Sequence, residues 1–185
     1  MIYSLFRNYF YSKFLSPNRT ELLKYFDNPI KSSDQEFLWG KKCNVRKERL
    51  QNTDEVKKLL KPSIEKFFNL CEFRQPKETK ITDIWKCLYD RGSYQETHDH
   101  CGNDLSGVLF LTDWKVGASN FYFYDRHCSE ITEFWRRCGS FTSESITYKR
   151  GEILLFPSYM MHGVTQHNHR VTRKIVSFNL YFPLN

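Results

Sequence analysis

The six cysteines of this 185-residue chain include no CxxC pair, and the chain has no glycine-rich phosphate loop, no internal repeat and no low-complexity segment. Cys43, Cys71, Cys87, Cys101, Cys128 and Cys138 are scattered singly. That spacing argues against a disulfide scaffold or a zinc ribbon and for reduced thiols in a cytoplasmic protein. Without a phosphate loop, the common nucleotide-binding classes lose their main signature. The first sixteen residues are aromatic, but Arg7 and Lys13 interrupt any apolar core and no small-residue cleavage site follows. Neither a signal peptide nor a membrane span is therefore expected.

What the chain does have is material for a core. The length suits one domain, and 40% hydrophobic with 17% aromatic residues can fill it. The 28 Lys and Arg residues give a formal charge of +7, but they are spread through both halves. A solvated basic surface is the ordinary reading of such a distribution. An acidic substrate or nucleic acid is the other, and the lack of a basic block does not favour it.

Pro17 to Thr20 opens a short amphipathic helix through about Phe26, with Leu22, Leu23, Tyr25 and Phe26 as its buried side and Asn28-Pro29 as its stop. From Thr53, a candidate N-cap, Val56, Leu59, Leu60, Ile64, Phe67, Phe68 and Cys71 recur at helical spacing. Pro62 should kink this helix or begin a second one. After Pro76 the pattern turns to β: Ile81 to Tyr89, Leu105 to Thr112, Ser119 to Tyr124, Ser145 to Tyr148, Ile153 to Phe156 and Val171 to Phe182 are β-branched and aromatic runs between turn residues. Ile131 to Cys138 reads as a short helix or a loop. Helices followed by six or more short strands predict an α+β chain with a jelly-roll or sandwich core. The expected division is one domain over 1–185, with a helical support region at 1–80 and the β core at 81–185.

Chemistry concentrates in two places. His98 and His100 are two residues apart beside a strand, so strand alternation lets both face one metal ion. A third imidazole, His162, follows the apolar strand and Pro-led turn of Gly151 to Met161. His127, His167 and His169 lie in polar stretches and read as ordinary loop residues. Tyr94, Tyr122 and Tyr124 either reach a bound molecule or fill the barrel. Arg173, eleven residues past His162, is a planar and permanently charged fork suited to a carboxylate; Arg170 is the alternative, and Lys174 should face the opposite way.

Taken with Leu105-Ser106-Gly107-Val108-Leu109-Phe110-Leu111, Leu155-Phe156-Pro157-Ser158 and Arg173-Lys174-Ile175-Val176-Ser177-Phe178-Asn179, this spacing resembles the iron(II) and 2-oxoglutarate-dependent oxygenase superfamily. The likeness runs from about Ile81 to Phe182, and is strongest to the small stand-alone oxygenases of bacteria and phages near the prolyl 4-hydroxylase-like group. It implies a double-stranded β-helix, Fe(II), 2-oxoglutarate and O2. It puts His98, position 100 and His162 on the metal and Arg173 on the co-substrate. Tyr94 and Asn179 are further candidates for holding the small molecules.

The chain departs from that pattern where a carboxylate is usual, because position 100 is a histidine. Either His100 completes a three-imidazole face or Asp104 reaches in from the following turn. Asp104 also brings a cupin-like overlap: Gly92, His98, His100 and Asp104 nearly match G-x5-H-x-H-x3-E, and Gly151, Pro157 and His162 nearly match the second cupin motif. Tyr159 and Gln166 break that second match. Three functions remain open on these residues. One is a 2-oxoglutarate-dependent hydroxylase acting on a protein side chain, prolyl-like, or on a small molecule. The second is a cupin-type dioxygenase that needs no 2-oxo acid, and the third a catalytically silent metal-binding barrel.

Overall fold

The structure is a computed structural model that describes residues 10–27, 32–33, 43, 45–50, 53–125 and 143–183. The described elements are β1 (Ser12–Leu15), α1 (Arg19–Asp27), β2 (Ser32–Ser33), β3 (Arg46–Leu50), α2 (Thr53–Leu70), β4 (Lys80–Tyr89), β5 (Gln95–His98), β6 (Leu105–Phe110), β7 (Phe121–Tyr124), β8 (Ser143–Ile146), β9 (Glu152–Pro157), β10 (His162–Val164) and β11 (Arg173–Tyr181). They form a seven-stranded sheet in the order β1-β9-β6-β11-β4-β3-β2 and a four-stranded sheet in the order β5-β10-β7-β8. All the pairings are antiparallel. This is the α+β double-stranded β-helix expected from the sequence.

The large sheet is buried on both faces, which is why β6, β9 and β11 read as continuous apolar runs rather than alternating ones. On its outer face Leu105, Leu109, Ile153, Leu155, Val176, Phe178 and Leu180 meet the helices through Leu22, Phe26, Val56, Leu60, Ile64 and Phe67. On its inner face Cys87, Tyr89, Val108, Phe110, Leu154, Phe156 and Ile175 meet Phe121, Phe123, Ile146 and Val164 of the small sheet. Strand alternation along β11 therefore turns Arg173, Ile175, Ser177 and Asn179 into the barrel, while Val176, Phe178 and Leu180 lock the helices on. Lys174 is exposed, on the face opposite Arg173.

Three elements differ from the sequence reading. Pro62 lies within one unbroken α2. The carbonyl it leaves unbonded is that of Lys58, an exposed residue, so water can satisfy it. The first eighty residues are not only helical, since β1 extends the large sheet beside β9 and β3 does so beside β4. β3 hides from pattern reading because Arg46, Lys47, Glu48 and Arg49 make it look like loop. These charges suit a strand near a sheet edge, and Arg46 and Arg49 pair with Asp90 and Asp83. Ile131 to Cys138 and the proposed stop at Asn28-Pro29 lie outside the described residues.

Packing between β6 and β11 leaves no space at Gly107, whose cross-strand partner is Phe178. A Cβ added there would stand 2.1 Å from the Phe178 ring. Gly107→Ala is expected to destabilise the protein by about 2 kcal/mol through overpacking, measured as a shift of the urea midpoint with unchanged slope.

Candidate metal centre

β5 and β10 run antiparallel with His98 directly opposite His162. His100 lies two residues past β5, and its backbone N–H donates to the Ser158 carbonyl at 2.9 Å. One potential ligand atom from each of His98, His100 and His162 falls within 4.8 Å of the others. Ring centroids are 4.4 Å apart for His98 and His162, 5.0 Å for His100 and His162, and 5.1 Å for His98 and His100. Phe121 stacks on His162 and Phe156 meets it edge-on, so the apolar inner core fixes the ring's plane.

Each imidazole is held in one tautomer. His98 Nδ1–H donates to the Glu96 carbonyl at 2.7 Å, His162 Nδ1–H to the Met160 carbonyl at 2.9 Å, and His100 Nδ1–H to Asn179 Oδ1 at 2.6 Å. An oxygen acceptor at Nδ1 requires the proton there and leaves the Nε2 lone pair for a metal, the usual outer support of a histidine ligand. Burial pushes the His98 pKa down to about 4 and lowers those of His100 and His162 as well, and neighbouring rings add to this at His98 and His162. All three are neutral at pH 7, the form that ligates. The donor set of three neutral imidazole nitrogens fits a divalent transition metal such as Fe(II).

Arg173, at the start of β11, is 1% exposed. Its guanidinium carbon lies 4.7 Å from the Tyr89 ring and 5.0 Å from the Tyr148 ring. Nη1 donates to Ser119 Oγ at a long 3.5 Å, while Nε and Nη2 are buried with no hydrogen-bond partner among the described residues. Burying an unpaired cation costs several kcal/mol, so two orphaned donors mark a place shaped for an anion. A carboxylate of 2-oxoglutarate fits that fork.

The other expected residues are placed as follows. Asn179 Oδ1 accepts from His100 Nδ1 and from Ser106 Oγ. Asp104 stands outside the histidine group, exposed, and its carboxylate accepts the Phe182 N–H at 2.7 Å. Tyr94 does not line the cavity at the histidines, whereas Gln95 does. A register shift between the β5 and β10 pairings, where Gln95 faces Val164 and His98 faces His162, inserts one extra residue in β5. Such a bulge breaks alternation and re-aims a side chain, which turns Gln95 inward. Tyr122 bonds to Thr97 through its hydroxyl, Tyr124 is exposed, and His127 lies outside the described residues.

Reading the sequence missed Tyr89, Gln95, Ser106, Ser119 and His167. Alternation along the Ile81 to Tyr89 run could have placed Tyr89 inside. His167, expected in a loop, is 1% exposed. Its Nδ1 accepts the Ser119 N–H and its Nε2–H donates to the Val171 carbonyl, contacts that no local pattern announces.

Two outcomes follow. In the unfolded chain these imidazoles take up protons near pH 6.5, but His98 in the folded protein does so only near 4. The unfolded state therefore binds more protons between those values, and stability that is complete above pH 6.5 falls as the pH is lowered through that window. Urea midpoints from pH 7.5 to 4 should show this slope, and His98→Gln should make it shallower, with His100 and His162 supplying the remainder. Asn179→Ala, which removes the oxygen holding His100, should weaken Fe(II) binding about 10- to 100-fold, whereas Asp104→Ala should leave it unchanged; anaerobic metal titration reads both.

The family described as "Putative 2OG-Fe(II) oxygenase" matches residues 83–179. No protein of curated function matches the chain. Solved structures share the fold at low identity. A 2OG-Fe(II) oxygenase family oxidoreductase from Burkholderia pseudomallei has a TM-score of 0.66 at 11% identity, covering 94% of this chain and 85% of that one. The viral collagen prolyl hydroxylase of Paramecium Bursaria Chlorella virus-1, solved with 2OG, gives 0.58 at 14% identity over 92% and 94% of the two chains. A Pseudomonas putida prolyl-4-hydroxylase gives 0.58 at 12% identity over 94% and 93%. With more than half of its length, including all of β5, β6, β9 and β10, inside the family match, the chain belongs to the 2OG-Fe(II) oxygenases, which use iron, 2-oxoglutarate and O2.

Proposed function

We propose that the protein is a 2-oxoglutarate-dependent hydroxylase whose iron is held by His98, His100 and His162, and whose co-substrate is held by Arg173. The single observation that carries this reading is the pairing of the two features in one barrel. A cluster of three neutral, tautomer-locked imidazoles lies at one end, and a buried guanidinium with two orphaned donors lies behind Tyr89. A metal-binding barrel without a 2-oxo acid has no use for the second. That is also why a cupin-type dioxygenase independent of 2-oxoglutarate, or a silent barrel, explains less, although three imidazoles without a carboxylate are compatible with either.

Bound iron with a 2-oxo acid and O2 supplies oxidative attack on an unactivated C–H bond, with release of succinate and CO2. The protein's own residues do the rest. Arg173 fixes the far carboxylate of the diacid through its fork, and Tyr89, Phe110 and Tyr148 keep water from that charge. Asn179 and the carbonyls of Glu96 and Met160 hold the ligand rings so that the Nε2 atoms converge.

The substrate is a protein side chain of prolyl type or a small molecule. The prolyl hydroxylases of matching fold support the first, and HygX from Streptomyces hygroscopicus, solved with 2-oxoglutarate and hygromycin B, supports the second. Among the described residues no helix is long and apolar enough to cross a membrane. The free thiols of Cys43, Cys71, Cys87 and Cys101 suit a cytoplasmic setting.

The test is anaerobic titration of Fe(II) and then 2-oxoglutarate, read by the visible charge-transfer band of the chelate. The band should form in the parent. In Arg173→Gln the metal should still bind while 2-oxoglutarate affinity falls at least about 100-fold, the loss expected when a paired charge and its hydrogen bonds are removed. Iron binding without any band in the parent would remove the 2-oxo acid from the account.

A further inference from the structure

We infer that Gln95 is a positioning residue for the co-substrate: its amide, which hydrogen-bonds the metal-facing nitrogen of His98, donates instead to an oxygen of the 2-oxo acid when iron occupies that nitrogen. This rests on the iron site proposed above.

Three observations carry it. Gln95 is 7% exposed and lines the cavity with the three histidines. It faces inward only because of the β5 bulge, which spends a strand irregularity on aiming this one amide. Its two ends are both engaged, and on the two halves of the site: Nε2–H donates to His98 Nε2 at 3.1 Å, and Oε1 accepts from the Tyr89 hydroxyl at 2.8 Å. Tyr89 in turn lies under the Arg173 guanidinium. The contacts His98–Gln95, Gln95–Tyr89 and Tyr89–Arg173 thus link the metal face to the anion site.

Sterics decide what Gln95 does when the site fills. A metal ion on an imidazole nitrogen lies about 2 Å from it, inside the 3.1 Å at which the amide nitrogen sits. The amide therefore loses its acceptor to the metal and needs another. The cavity at the histidines is only about 20 Å³, on the order of one water, so a diacid enters only if lining side chains move, and Gln95 and Tyr89, bonded to each other there, are among them. A displaced amide beside a metal-bound carboxylate has a charged acceptor within reach, and leaving it unsatisfied in a buried site would be costly.

The experiment is the same anaerobic titration on Gln95→Met, which keeps the volume and removes the donor, and on Gln95→Asn, which keeps the amide and shortens its reach. Both should bind Fe(II) no more weakly than the parent, since a competitor for His98 is gone. Both should bind 2-oxoglutarate about 10-fold more weakly, the worth of one hydrogen bond to a charged group, with a displaced charge-transfer maximum. Parent-like co-substrate affinity and an unmoved band in either folded variant would overturn the inference while leaving the iron site standing. Weakened Fe(II) binding would also overturn it, by making Gln95 a support of His98. A parent that forms no band would fail the proposed function itself, and this inference with it.

Discussion

The hold on Nδ1 of each imidazole is the constraint on which the rest of the site depends. Without an oxygen at that nitrogen a buried neutral histidine is free to carry its proton on either atom, and three rings packed this closely would not converge on Nε2. The three oxygens come from separate places: the Glu96 carbonyl within β5, the Met160 carbonyl in the turn before β10, and the Asn179 amide on β11. Metal geometry is therefore a property of the closed barrel. His98 and His162 meet through the small sheet, and His100 is tied to the large one through Asn179, Ser106 and the backbone of Ser158.

Arg173 is the opposite case, a group the fold leaves unsatisfied. Aromatic faces flank its guanidinium, and among the described residues its one side-chain hydrogen bond is the long one to Ser119. That arrangement costs stability in the protein alone and returns it when an anion binds, so co-substrate should stabilise the fold by mass action. His167 supports the arrangement from behind, because its two nitrogens fix both Ser119 and the chain leading into β11. Arg173 can be spared a protein partner because its place is held by the β11 ladder with Tyr89 rather than by its charge.

The fold and the grouping of the three histidines were legible in the sequence because they rest on local signals. Two histidines two residues apart, an apolar strand ending in Pro157, and β-branched runs between turns needed no tertiary information. What escaped depended on long-range pairing. The β3 strand is charged because it lies near a sheet edge, and nothing local marks it as a strand. Tyr94 was expected to reach a bound molecule or to fill the barrel, but the β5 bulge makes Gln95 the inward position. Asn179 was singled out as a polar residue for holding the small molecules, and the bond from its side-chain oxygen to the His100 ring depends on a strand pairing that no local pattern shows. His167 does lie in a loop, as expected, but its burial was hidden because its two partners lie in the Ser119 and Val171 segments.

Position 100 departs from the usual carboxylate of the wider superfamily, and with His100 on the metal, as proposed, a neutral imidazole would leave one more positive charge for the co-substrate to neutralise. X-ray absorption on the anaerobic Fe(II) protein, with His100→Ala beside it, tests the point directly. The account predicts imidazole scattering from three rings in the parent and two in the variant. Two rings in both, with a protein carboxylate completing the shell, would contradict it.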